Sequence, residues 1–203
     1  LLNLLQTIGQ TDTVIALLYV LLLGSIGGLM AWESVQALVQ RKRGMAPADA
    51  SWRLEVELAS FVAAAWKRPD EGIWEVRGER QHFTHSKIMA WVALDRTLRS
   101  AERFGLPCPF DELRRVRAAI HEDVCRRGFD PRRNTFVRVY GRPHLDASLL
   151  MIPLVGFLPP SDPRVIGTVR AIEERLRRGA LVVRYDTSVA EDGLPAGEGV
   201  FLP

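Results

Sequence analysis

A chain of 203 residues can bury one ordinary core, and a formal net charge of +3 is too small for its size to mark a polyanion binder. Basic residues such as Arg114, Arg115 and Arg117 alternate with acidic ones such as Glu112 and Glu122. That pattern describes a solvated helix face and excludes a nucleic-acid surface, because no basic stripe interleaved with aromatics is present. Two cysteines, Cys108 and Cys125, make no disulfide framework and read as reduced thiols of a cytoplasmic protein.

In chain order, the first feature is the uncharged run from Thr13 to Trp32, followed by Arg41, Lys42 and Arg43. Length and flank make it a transmembrane candidate, and Gly24 and Gly28 form a small-xxx-small pair of the kind that packs membrane helices. A helix buried on most sides can be equally apolar, and Gly24, Gly27 and Gly28 would equally mark a helix end. No basic residue in Leu1–Thr11 precedes the run, which argues against a signal peptide.

After a loop containing Gly44 and Pro47, Ser51 is placed to cap a helix running to about Trp66, with Trp52, Val56, Ala59, Ala63 and Trp66 on one face. Pro69 closes it, since proline cannot continue a helix. The loop from Asp70 to Gln81 then sets Glu75 beside Trp74 and near Arg77. An apolar indole wall would raise the pKa of Glu75, as a proton donor working near neutral pH requires. Arg77 and Lys87 can bind hydroxyl-rich or anionic ligands. Asp70 and Glu71 read as local loop charges.

The next helix is expected to start near Thr84 or Ser86 and to end before Gly105, with His85 and Lys87 in its first turn beside free N–H groups. Its middle, including Trp91, reads as core. A helix from about Asp111 to Arg127 would turn Leu113, Val116, Ile120 and Val124 inward, with Gly128 as its cap. Asp130 and Pro131 signal a turn, and Thr135–Tyr140 a short extended segment. Asp162 and Pro163 signal a last helix burying Val165, Val169, Ile172 and Leu176 up to Gly179. Repeated helix, loop, helix order predicts an all-α fold. No dinucleotide or P-loop glycine pattern occurs, and His82, His85, His121 and Cys125 lack the spacing of a known metal site. Neither a cofactor nor a metal is expected.

Four blocks carry a resemblance: PDEGIWEVRGERQHFTHSKIMAWVALDR (69–96), FDPRRNTFVRVYG (129–141), LDASLLMIPLVGFLPPSDPRV (145–165) and GLPAGEGVFLP (193–203). In this order they resemble the glucoamylase and trehalase-like enzymes of glycoside hydrolase family 15, over residues 51–203; before Ser51 the match is loose. The resemblance implies part of an α/α barrel of six helical hairpins, in which residues 1–50 would supply a barrel helix, a membrane span over 13–32 being the alternative. It implies Glu75 as general acid, Arg184 of the RYD segment as a substrate-binding arginine and Glu198 at the active-site rim. Trp74 is expected to serve as a sugar platform. The substrate would be an α-glucoside or α-glucan, cleaved with inversion, and trehalase and glucoamylase activities both fit. The family's general base lies downstream of the GEG block, so no residue here is assigned to it. The chain reads as an internal fragment of an enzyme, inactive alone, with a non-catalytic or membrane-anchored helical protein as the rival.

Overall fold

The computed structural model describes residues 32, 35, 49–75, 78–186 and 200–201. The chain divides into two units, Leu1–Pro47 and Ala48–Pro203. In the first, Trp32 and Val35 are described as helical, and the rest of the uncharged run from Thr13 lies outside the described residues. No described helix is long and apolar enough to cross a membrane.

The second unit is mostly helical. Helix α1 (Asp49–Ala65) starts two residues ahead of Ser51, so that serine sits in the first turn instead of capping it. Of its expected apolar face, Trp52 and Ala59 are fully buried. The indole of Trp52 donates to the Pro107 carbonyl at 2.9 Å, tying α1 to the far end of the next helix.

That next helix, α2 (Thr84–Phe104), buries Ile88, Trp91, Leu94, Leu98 and Ala101, a three-and-four spacing that makes one continuous face. It stops at Gly105, whose φ of 63° only glycine adopts without strain and whose N–H returns to the Ala101 carbonyl. Helix α3 (Phe110–Arg127) follows and packs on α2 through Leu113, Ile120 and Val124. Asp95 of α2 is 2% exposed. Its carboxylate meets Arg96 and Arg99 at 3.0 Å and Arg117 of α3 at 2.9 Å, so the two helices share one buried anion.

Past Gly128 the chain forms a small antiparallel ladder, β1 (Phe129–Asp130) on β2 (Thr135–Phe136), turning through Asn134 at φ 51°. Of the extended segment expected over Thr135–Tyr140, Thr135 and Phe136 pair as a strand, while Val139 forms an isolated bridge to Phe83. A 3-10 turn (Ala147–Leu150) runs directly into a single α-turn, α4 (Met151–Leu154), and brings Leu149 and Ile152 into the core.

Helix α5 (Pro163–Leu176) opens as its sequence signals require, with the Asp162 carboxylate accepting the Arg164 N–H at 2.9 Å and Pro163 in the first turn. Two expectations fail here. Val169 is 40% exposed; Thr168 faces inward in its place. The Thr168 hydroxyl accepts the Phe136 N–H at 2.9 Å and donates to the Arg164 carbonyl at 2.7 Å, so burying it satisfies a backbone group of the β1–β2 ladder. The helix also ends at Leu176, short of Gly179. Arg177–Arg178 becomes β3 and turns at Gly179 (φ 65°) to pair with β4 (Leu181–Val183), whose other edge takes β5 (Val200–Phe201). One apolar core joins α1, α2, α3, β2, the α4 turn and α5.

Candidate active site

Three backbone bridges gather the loops that hold the candidate residues. Asp70 and Gln81 exchange two N–H···O bonds of 2.9 Å, closing the Glu75 loop at its base. Phe83 pairs with Val139, and the Thr84 N–H donates to the Arg138 carbonyl at 2.9 Å. Asp146 pairs with Tyr185, and the Ala147 N–H donates to the Arg184 carbonyl at 2.7 Å. The sequence segments 70–83, 138–147 and 184–185 thereby become neighbours.

Within the first loop, Asp70 organises the entry to α2. Its carboxylate accepts the Gly72 N–H and the Ser86 hydroxyl, each at 2.7 Å, and lies 3.6 Å from the Lys87 ammonium. Gly72 has φ 73° and its Cα faces the Phe83 ring, leaving no room for a side chain. At the tip, Glu75 also takes a left-handed backbone, φ 48°, and its N–H donates to the Gly72 carbonyl at 3.1 Å. A non-glycine residue in that region is uncommon, and such strain concentrates at functional positions.

The Glu75 side chain is exposed, so the apolar enclosure expected from Trp74 does not surround it. Trp74 is half-buried and turned elsewhere. Its indole N–H lies 2.9 and 3.1 Å from the two carboxylate oxygens of Asp146. The Trp74 ring sits 6.4 Å from that of Tyr185, tilted by 51°, and the Arg184 guanidinium stands 5.7 Å from the Trp74 centroid and 5.1 Å from that of Tyr185. The Nε of Arg184 is buried without a hydrogen-bond partner among the described residues. Arg138 lies on the other side of the same carboxylate: its Nε is 3.4 Å from Asp146 and its guanidinium 3.9 Å from the Tyr185 ring centre.

Asp146 is the buried carboxylate of this cluster, 2% exposed. Burial pushes its pKa up, against the pull of the Ser148 N–H, Arg138 and the Trp74 indole. His85 stands in the field of Asp146 and Asp70, yet burial outweighs both and holds its imidazole below the usual range.

Trp74 and Arg184, singled out in the sequence, thus come together. Lys87 does not join them. It is 3% exposed, and its ammonium donates to the Arg68 carbonyl and faces Asp70. Burial lowers its pKa, with Asp70 opposing. It lines a cleft with Trp66, His82, Asp123 and Arg127, a set that includes neither Trp74 nor Arg184. Arg77 and Glu198 lie outside the described residues.

Sequence reading passed over Asp146 and Arg138. Each had a signal: an aspartate two residues before a serine at the start of an apolar run, and a lone arginine inside the apolar stretch TFVRVY. His121 is packed between the rings of Phe157 (4.6 Å) and Trp91 (6.4 Å), with Cys125 Sγ 3.9 Å from its Nδ1. Among the described residues no group of three or more His, Cys, Asp or Glu side chains is arranged to hold a metal.

A sequence model of glycosyl hydrolases family 15 matches residues 28–202. The chain is similar to the trehalase of Mycobacterium tuberculosis, 49% identical over 136 residues, covering 67% of this chain and 20% of that protein. It is also similar to the trehalase of Mycolicibacterium smegmatis, at 46% identity over 75% of this chain and 23% of that protein. For the trehalase of Thermoplasma acidophilum the figures are 40%, 74% and 26%. The chain therefore spans between a fifth and about a quarter of the length of these curated relatives. Among solved structures, one of a wild-type glycosidase superposes with a TM-score of 0.55 at 22% identity, covering 63% of this chain and 33% of that one. A glycosidase solved in complex with glucose gives the same TM-score, identity and coverages.

Proposed function

Since the chain belongs to glycosyl hydrolase family 15, we propose that it forms part of the catalytic domain of an inverting glycoside hydrolase that cleaves an α-glucosidic bond, with trehalose as the substrate. The choice of trehalose over a maltooligosaccharide or starch rests on the names of the similar curated proteins. In this reading the helices are part of a six-hairpin α/α barrel, to which residues 1–50 supply a helix, within a protein of the cytoplasm. The two free thiols, Cys108 and Cys125, are compatible with that compartment.

Glu75 is the general acid that protonates the departing glycosidic oxygen. The observation that carries this assignment is the loop itself, closed at Asp70–Gln81, which keeps a glutamate in the left-handed region with its side chain exposed. Trp74 supplies an aromatic face for the sugar and Arg184 a donor for its hydroxyls, with Arg77 and Glu198 completing the contacts. Lys87 serves indirectly, by anchoring Asp70 at the base of the loop. The inverting partner, a carboxylate about 6.5–9.5 Å from the acid with a water between them, is assigned to none of the 203 residues. An acid without its base cannot activate water, so this chain alone is expected to release no glucose from trehalose.

The test is Glu75→Gln in the full-length protein. Glutamine keeps the shape but cannot deliver a proton, so turnover of trehalose should fall by about two to four orders of magnitude. A glucosyl fluoride, whose leaving group needs little protonation, should be slowed far less. Equal slowing of both substrates, or of neither, would remove Glu75 from the role.

A further inference from the structure

Resting on the reading of Glu75 as the acid, we infer that Asp146 is a positioning residue, whose buried carboxylate holds the Trp74 indole and thereby fixes the tip of the loop on which Glu75 sits. The carboxylate is held first by its own segment. Asp146 caps the 3-10 turn through Oδ1, which accepts the Ser148 N–H at 2.8 Å, and its backbone is bridged to Tyr185. Oδ2 faces Arg138 at 3.4 Å, and both side chains are under a tenth exposed. An acceptor so fixed can orient whatever donates to it.

The donor comes from the loop. Trp74 shares its N–H between both oxygens. This hydrogen bond joins the tip of the loop to another segment of the chain; Asp70 with Ser86 and Lys87, by contrast, acts at the base. Trp74 and Glu75 are adjacent in sequence, and the peptide between them leads into a left-handed residue. Holding the indole thus restrains the backbone at residue 74, next to the left-handed φ that aims Glu75. A buried carboxylate is expensive to maintain for packing alone, and the upward shift of its pKa records that expense.

The experiment is a double-mutant cycle in the full-length protein, using Asp146→Asn, Trp74→Phe and the pair, read as kcat/KM for trehalose and for a glucosyl fluoride. Asparagine keeps one acceptor and loses the symmetric grip. Phenylalanine keeps a ring and loses the shared N–H. Each single variant should lower kcat/KM for trehalose about 10- to 100-fold, as misplacement of a reacting group does, and the double variant should fall no further than the worse single. The loss should be several-fold smaller on the fluoride, because misaiming an acid matters little where little acid is needed. Multiplying losses in the double variant would overturn the inference, as would Asp146→Asn staying within about twofold of the parent. Should Asp146→Asn fail to fold, Trp74→Phe alone decides: a loss on trehalose spared on the fluoride supports the link, and an equal loss on both refutes it. Glu75→Gln run alongside separates the two claims. If it retains trehalose turnover, the acid assignment fails whatever the cycle shows. If it is inactive while the cycle is additive, only the role of Asp146 fails.

Discussion

Glu75 and Gly72, three positions apart, both take positive φ (48° and 73°), but for different reasons. At Gly72 the cause is steric as well as conformational: a Cβ there would lie 2.9 Å from the Phe83 ring. Gly72→Ala should cost about 1–3 kcal/mol, seen as a lower urea midpoint, because the ring is backed by the bridge to Val139 and cannot withdraw freely. The histidines set an acid limit. Burial holds His82, His85 and His144 below the ordinary 6.5, so the unfolded chain takes up their protons first. The stability they lend is complete above about pH 6.5 and is lost as pH falls through their folded values. The melting temperature should therefore drop on going from pH 7 to pH 5, and His85→Gln should flatten that slope; an unchanged slope would exclude His85 as a contributor. At this scale the family-like motifs singled out Trp74 and Arg184, and the structure brings these two side chains together. For Asp146 only the local capping signal toward Ser148 was available; its contact with Trp74, 72 residues away, leaves no trace in spacing.

At the level of elements, the long helices α2, α3 and α5 could be read in advance because each repeats an apolar residue every three or four positions and carries its own start or stop. Asp162 is the clearest: besides capping the Arg164 N–H, its carboxylate takes the Arg164 guanidinium at 2.7 and 3.0 Å. Asp162→Ala should cost about 1 kcal/mol, measured by thermal unfolding, with Asp162→Ser recovering most of it. Where sequence reading overran was the end of α5. Helical periodicity continues through Arg177 and Arg178, but these two residues pair with Val182 and Leu181, a tertiary competition that local pattern does not register. Strands of two or three residues have no period to detect. The 147–154 turns were hidden for the same reason, and Pro153 within them argued against any helix.

Across the whole second unit, one buried anion does what no single helix could. Asp95 binds Arg117 of α3, and Arg96, held by the same carboxylate, donates onward to the Val155 carbonyl at 2.9 Å, just beyond α4. Asp95→Ala should lower stability by about 2–3 kcal/mol, given that the arginines left behind are partly solvated. Combined with Arg117→Ala the losses should be less than additive; full additivity would mean that the two residues act separately. The closure of residues 70–81 has an effect of another kind. Because Asp70 and Gln81 are stitched to each other, and Asp70 is fastened to Ser86, the ten residues 71–80 are bounded by a fixed pair of anchor points. Substitutions among the exposed residues 78–80 need not move the ends of α1 or α2. The loop is thus a cassette with fixed ends and a partly fixed interior: its exposed residues 78–80 can vary in place, whereas Gly72 and Trp74 are fitted to Phe83 and Asp146 outside it and must be kept in any graft between the same two anchors.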